Sequence, residues 1–155
     1  YIWIRFEWQF SLGAIIALIH DVVITVGIFS FLSYEVNLSI VAAVLTIVGY
    51  SMNDTVVIFD RIRENLKKYS KISISDISNT STNETLSRTL ITSVTTLLAL
   101  FSIYIFGGAI LKGFSFAMII GVIVGTYSSI FVATPVLNYT NVNQKTVLKE
   151  DTEKN

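Results

Sequence analysis

Two charged side chains fall within stretches otherwise apolar enough for a membrane, and they are the first residues in this sequence able to do chemistry. Asp54 stands in VLTIVGYSMNDTVVIF, seven residues before Arg61, which at 1.5 Å per helical residue puts it about 10 Å inside that basic marker. An Asp at helix-centre depth costs about 2.5–3.5 kcal/mol on insertion scales, so a chain that keeps one uses it or pairs it. Thr46, Tyr50 and Asn53 recur at i, i+4 and i+7, with Asp54 four after Tyr50. This spacing draws one polar stripe along the helix, and such a stripe faces protein or water rather than lipid. Arg88 is the second charge. Thr92, Thr95 and Thr96 follow it at helical spacing with Thr89 and Ser93 beside them, and it lies seven residues after Ser81. With Arg61 and Ser81 both at the membrane surface, Asp54 and Arg88 share a depth.

Arginine keeps its proton at any accessible pH, whereas a carboxyl group losing water favours its neutral form and a nearby cation favours the ionised one. A carboxyl placed like Asp54 can therefore exchange a proton as Arg88 approaches or withdraws. The bland reading stands beside it: Asp54 is a structural acid satisfied by Thr or Tyr hydroxyls, and Arg88 snorkels to the surface from the first turn of its helix. His20 and Asp21 form a third group, read either as a proton relay or as a hydrogen-bonded helix contact. Adjacent residues point about 100° apart on a helix, so the pair is no metal clamp. With no cysteine in the chain, disulfides, cysteine-held metals and thiol catalysis are excluded. No nucleophile elbow, phosphate loop, dinucleotide glycine motif or zinc-helix motif occurs, so the sequence points away from an enzyme and from metal or organic cofactors, with protons as the coupling ion.

The elements that must position these groups are membrane helices. The chain has 155 residues, 52% hydrophobic and 14% charged, against roughly 25% charged in a soluble domain. Four stretches reach the roughly 20 residues needed to span the hydrocarbon layer: 11–34, 38–59, 89–111 and 114–137. They make residues 11–137 one all-α polytopic bundle of four spans. Tyr1, Trp3, Phe6, Trp8 and Phe10 around Arg5 and Glu7 read as interfacial, so residues 1–10 are the expected end of a preceding span. No basic leader with a small-residue cleavage site opens the chain, and the missing initiator methionine suggests a fragment.

Glu35-Val36-Asn37 separates the first two spans as a hairpin turn, and DRIRENLKKYSK over 60–71 predicts that the second helix runs on into water for two turns. Residues 72–83, rich in Ser, Thr, Asn and Ile, read as a flexible connector, with Ser81-x-x-Glu84 as a capping box opening the third helix. The whole segment 60–88 is thus a predicted cytoplasmic connector. Gly107-Gly108 with Lys112-Gly113 predict the next turn, and 138–155 a disordered polar tail. Gly121-x-x-x-Gly125 fits close helix approach. With both ends inside, ten of the eleven Lys and Arg face the cytoplasm and only Lys112 lies outside, as the positive-inside rule requires. Eleven acids cancel the eleven bases, so no nucleic-acid footprint appears. The basic run Arg61, Arg63, Lys67, Lys68 and Lys71 suits anionic membrane lipid or a cytoplasmic partner.

The run from Gly49 to Asn65, GYSMNDTVVIFDRIREN, strongly resembles the signature of the SecF family, membrane subunits of the bacterial protein-export machinery. Arg5-Phe6-Glu7-Trp8, Ala17-Leu18-Ile19-His20-Asp21 and Asn83-x-x-Leu86-Ser87-Arg88-Thr89-x-x-Thr92-Ser93 support it, and the likeness covers roughly residues 1–140. It implies the helical fold of half a resistance-nodulation-division transporter, an inner-membrane location, SecD as a partner, and work with SecYEG and SecA on a translocating preprotein. It also implies use of the proton gradient, with Asp54 and Arg88 on the proton path and Asn53, Tyr50, Thr92 and Thr96 lining it. Family members carry a further span and a periplasmic domain upstream of the part matched here. A non-conducting scaffold of the export complex and a proton-driven small-molecule exporter are the alternatives.

Overall fold

The computed structural model describes residues 7–33, 35, 37–69 and 72–140 together with positions 142, 145 and 147. The interfacial residues Tyr1, Trp3, Arg5 and Phe6, and most of the predicted tail, lie outside the described residues. Helix α1 runs Trp8–Phe31, α2 Leu38–Lys68, α3 Ile74–Phe106 and α4 Gly108–Ser128, followed by a π-helical turn Ser129–Ala133 and a short α5, Thr134–Tyr139. Among the described residues there is no strand. Four helical stretches are long and apolar enough to cross a membrane, the last being Gly108–Tyr139 taken through its π turn. The chain is a multi-pass helical membrane protein, with the four spans expected.

The starts and ends differ from the sequence reading for physical reasons. Helix α1 begins at Trp8 rather than residue 11, because Gln9 and Phe10 already face the protein interior. Helix α2 begins where Asn37 Oδ1 accepts the Ile40 N–H at 3.1 Å and continues to Lys68, two and a half turns beyond the predicted span. The largest correction concerns 72–83, which is mostly helix. Helix α3 starts at Ile74, capped by Ser73, whose Oγ accepts the Asp76 N–H at 3.2 Å and donates to the Asp76 carboxylate at 2.7 Å. Ser81 is not a cap; it is fully buried in mid-helix. Ile77, Ser78, Ser81 and Thr85 turn one small-residue face to the interior, and tertiary packing overrides the weak helix propensity of Ser, Thr and Asn.

At the other hairpin, Gly107-Gly108 alone makes the turn. Gly108 adopts φ +74°, open to glycine at no steric cost. A Cβ on Gly107 would lie 2.4 Å from the Ile103 carbonyl oxygen. Lys112 and Gly113 belong to α4, whose first turns were expected to be loop. Pro135 sits near the start of α5, and the π turn just before it accommodates the missing N–H; there Thr134 Oγ1 donates to the Ser129 carbonyl at 3.1 Å. Of the tail, Val142 and Val147 are buried in the core.

Helices α2 and α4 form the centre, and each packs against both α1 and α3. Water gives no hydrophobic drive between helices in lipid, so close van der Waals fit must hold them. Gly121 and Gly125 supply it. A Cβ at Gly121 would meet Ile47 at 2.3 Å, and one at Gly125 would meet Ser51 Cβ at 3.1 Å. Two apolar clusters fill the ends of the bundle. Phe10, Ile58, Phe59, Ile62, Ile77 and Leu137 pack at the end where α2 passes to α3, and Phe29, Ile47, Leu100, Met118 and Val122 at the other. Phe10 meets Phe59 edge-on with ring centroids 5.2 Å apart.

Gly121→Val should therefore destabilise the detergent-solubilised protein by about 1–3 kcal/mol, measured by denaturant titration of helix content. Adding Ile47→Ala, which removes the clashing side chain, should recover part of that loss.

Candidate functional site

Between the two apolar clusters lies a layer of small polar residues. Asp21 is completely buried on α1 and accepts the Ser51 Oγ–H at 2.5 Å from α2. One turn further along α2, Thr55 Oγ1 and Ser129 Oγ stand 2.9 Å apart, and Ser129 also donates to the Gly125 carbonyl at 2.9 Å. On the α3 side, Ser93 Oγ and Thr126 Oγ1 are 2.7 Å apart. The Thr55–Ser129 contact lies one turn beyond Gly125, where α4 comes close to α2 and hydroxyl side chains as short as Ser and Thr can reach across. Paired hydroxyls spare the layer the cost of unsatisfied polar groups in hydrocarbon.

His20 and Asp21 are hydrogen-bonded to each other and, through Asp21, to α2. His20 Nδ1 lies 3.1 Å from Asp21 Oδ1, and the other oxygen of Asp21 is bound to Ser51. Ser51, Thr55 and Ser129 were not singled out from the sequence. Their signal was there in outline: Ser51 and Thr55 fall four apart, in phase with the buried Ile47 and Ile58.

Asp54 adjoins this layer and differs from it. Its side chain is buried, at 4% exposure, and its Oδ2 has no hydrogen-bond partner. Arg88 stands on the neighbouring helix α3. Arg88 itself is exposed and lines a cleft of about 340 Å³ with Val57, Asp60, Arg61, Glu64, Glu84 and Thr85. Val57 lies three residues beyond Asp54, so the cleft ends about one helical turn from the carboxyl. The two predicted charges thus lie on neighbouring helices, Asp54 enclosed and Arg88 at the cleft.

The predicted polar lining divides. Tyr50 is half-buried and its hydroxyl is enclosed without a partner. Asn53, by contrast, is on the exposed side of α2 together with Thr46, so the supposed single stripe is split between an inner and an outer face. Thr92 and Thr96 are half-buried, and Thr92 Oγ1 donates back to its own helix, 3.0 Å from the Arg88 carbonyl and 2.9 Å from that of Thr89. Beyond the apolar part of α3, Glu84 Oε2 accepts from Arg61 Nε at 2.6 Å and from Asn65 Nδ2 at 2.9 Å, and these donors hold its carboxyl below the usual carboxylate range. Among the described residues no group of three or more His, Cys, Asp or Glu is placed to hold a metal ion.

Comparison with known proteins agrees with this architecture. The family model described as protein export membrane protein SecD/SecF, C-terminal, matches residues 1–143. The protein translocase subunit SecF of Rhodobacter capsulatus is 53% identical over 154 residues, covering 99% of this chain and 46% of the relative. That of Rhodothermus marinus is 59% identical over 143 residues, covering 88% of the chain and 46% of the relative. The chain therefore spans a little under half the length of these relatives. The crystal structure of SecDF in its super-membrane-facing form superposes with a TM-score of 0.87 at 41% identity, covering all of this chain and 21% of that one. SecDF of Thermus thermophilus, a translocon-associated membrane protein, gives a TM-score of 0.87 at 44% identity over 92% of this chain and 20% of its own. A bundle of four apolar helices and a family match running almost from end to end place this chain in the SecD/SecF family of protein-export membrane proteins.

Proposed function

We propose that this chain is the membrane part of a subunit that, paired with SecD in the bacterial inner membrane, uses the proton gradient to drive late preprotein translocation through SecYEG with SecA. The observation that carries the reading is the Asp54 carboxyl, buried within the bundle with one oxygen unbonded, on the helix packed beside the one that carries Arg88. A carboxyl held this way has two accessible forms: ionised and attracted to the arginine, or protonated and indifferent to it. Each proton crossing the membrane yields about 2.3 kcal/mol per 100 mV, enough to bias a two-state arrangement of helices several tenfold. Proton uptake at Asp54 removes the attraction across α2 and α3, and its loss restores it. Asn53, Tyr50, Thr92 and Thr96 line or border this path, while His20 and Asp21 brace α1 against α2.

The partner reading rests on the outer faces. Asn53 on α2 and Arg88 on α3 are exposed on helices built to cross a membrane, and polar groups turned to hydrocarbon are costly. A second membrane polypeptide covering this face removes that cost, and the names of the similar SecDF structures point to SecD. Both ends of this stretch lie on the cytoplasmic side in this reading, with the basic residues of 60–88 against anionic lipid headgroups. No resident cofactor is needed, since the coupling ion is the proton.

Asp54→Asn in the full-length subunit should abolish the increment in preprotein export that depends on the proton gradient. Export driven by SecA and ATP alone and the inserted amount should stay unchanged. Undiminished gradient-dependent export in reconstituted vesicles would overturn the reading and favour a scaffold. Arg88→Gln should give the same loss, while Arg88→Lys, which keeps the charge but not the planar fork, should retain part of the activity in the same assay.

A further inference from the structure

The cytoplasmic-side extensions of α2 and α3 are tied by a node of three side chains that the proton chemistry does not use. Asn65 is buried; its Nδ2 donates to Ser81 Oγ at 2.9 Å and to Glu84 Oε2 at 2.9 Å. Arg61 Nε donates to the same Glu84 oxygen at 2.6 Å, while Arg61 Nη1 reaches back to Glu64 Oε2 at 2.6 Å along its own helix. Ser81 is fully buried, so one half of the node is enclosed and the other opens onto the cleft. A surface ion pair alone contributes little. An ion pair locked to a buried amide and hydroxyl fixes geometry, since any slip of one helix along the other breaks several directional contacts together.

The node sits at a defined distance from both functional charges. From Asp54 to Arg61 is seven residues along α2, and from Glu84 to Arg88 is four residues back along the antiparallel α3. At 1.5 Å per residue these distances are about 10 Å and about 6 Å, so the tie sets Arg88 about 4 Å nearer the node than Asp54, measured along the helices. An arginine side chain on the neighbouring helix spans that offset. Sliding α3 by a single turn, 5.4 Å, changes the offset by more than its own size.

We propose that Arg61, Asn65 and Glu84 form a register latch: they are positioning residues that fix the longitudinal alignment of α3 against α2 and thereby the interaction between Asp54 and Arg88. The inference rests on the proton reading given above. The latch carries no proton itself; it sets how strongly protonation of Asp54 is felt by α3.

The test uses full-length protein with SecD, SecYEG and SecA in vesicles carrying an imposed proton gradient. Glu84→Ala should lower the gradient-dependent export increment roughly tenfold, within the range of site-to-site couplings, with the ATP-driven rate and the inserted amount unchanged. Glu84→Gln, which keeps an oxygen for Arg61 and Asn65, should keep most of the increment. In an Arg61→Cys/Glu84→Cys pair the increment should be low, and closing the pair with a short bifunctional thiol reagent should restore it. Full gradient-dependent export in Glu84→Ala, beside its loss in Asp54→Asn, would overturn the latch and leave the proton reading standing. Loss in Glu84→Ala that neither the glutamine nor the cross-link repairs would also overturn it, showing a role in folding only. Full activity of Asp54→Asn in the same vesicles would remove the proton reading on which the latch depends.

Discussion

Hydrocarbon offers no hydrogen bonds, and that one constraint organises this molecule. Every hydroxyl, amide and carboxyl at depth must find its partner inside the bundle, and most of them do, through contacts a few atoms long. Ser51 serves Asp21, Thr55 meets Ser129, and Ser93 meets Thr126. Thr55 and Ser129 meet where Gly121 and Gly125 let α4 lie directly on α2. The apolar clusters at either end close the layer off, and beside it the buried Asp54 keeps an Oδ2 without a hydrogen-bond partner. Its environment is the inverse of that of Asp21, where both oxygens are engaged. Two aspartates in one bundle thus differ in their bonding, one with both oxygens engaged and one with an oxygen left unbonded.

What the sequence disclosed divides along the range of the forces involved. Apolar runs long enough for a membrane, the hairpin at Asn37 and the outlying charges Asp54 and Arg88 are local signals, and each was legible without a neighbour. The stretch 74–83 was not. Its Ser, Thr and Asn residues read as loop because local propensity favours loop, and they form helix because Ile77, Ser78, Ser81 and Thr85 pack against other helices. The supposed cap at Ser81 failed for the same reason: Ser81-x-x-Glu84 has the look of a helix start only while the partner helix is unseen. The stripe on α2 was half right, since a helical repeat shows that Tyr50, Asn53 and Asp54 are near one another but not where the boundary between inside and outside falls.

The node at Arg61, Asn65 and Glu84 illustrates a further limit. Arg61 and Glu84 are separated by 23 positions and lie on different helices, so no periodicity links them. Their meeting depends on α3 beginning early enough to run beside the extension of α2, which depends in turn on the cap at Ser73. Local chemistry at one residue therefore decides whether a contact about three turns away exists.

The two glycines at the far end carry a mechanical consequence. With Gly107 closing α3 through a 2.7 Å bond to the Ile103 carbonyl and α4 starting at the next residue, the elbow contains no spare chain. Axial thrust on one limb passes undamped into the other, so the pair behaves as a single stiff yoke rather than two independent rods. Force originating anywhere along the yoke is delivered to the glycine seam on α2, where the helices mesh most tightly.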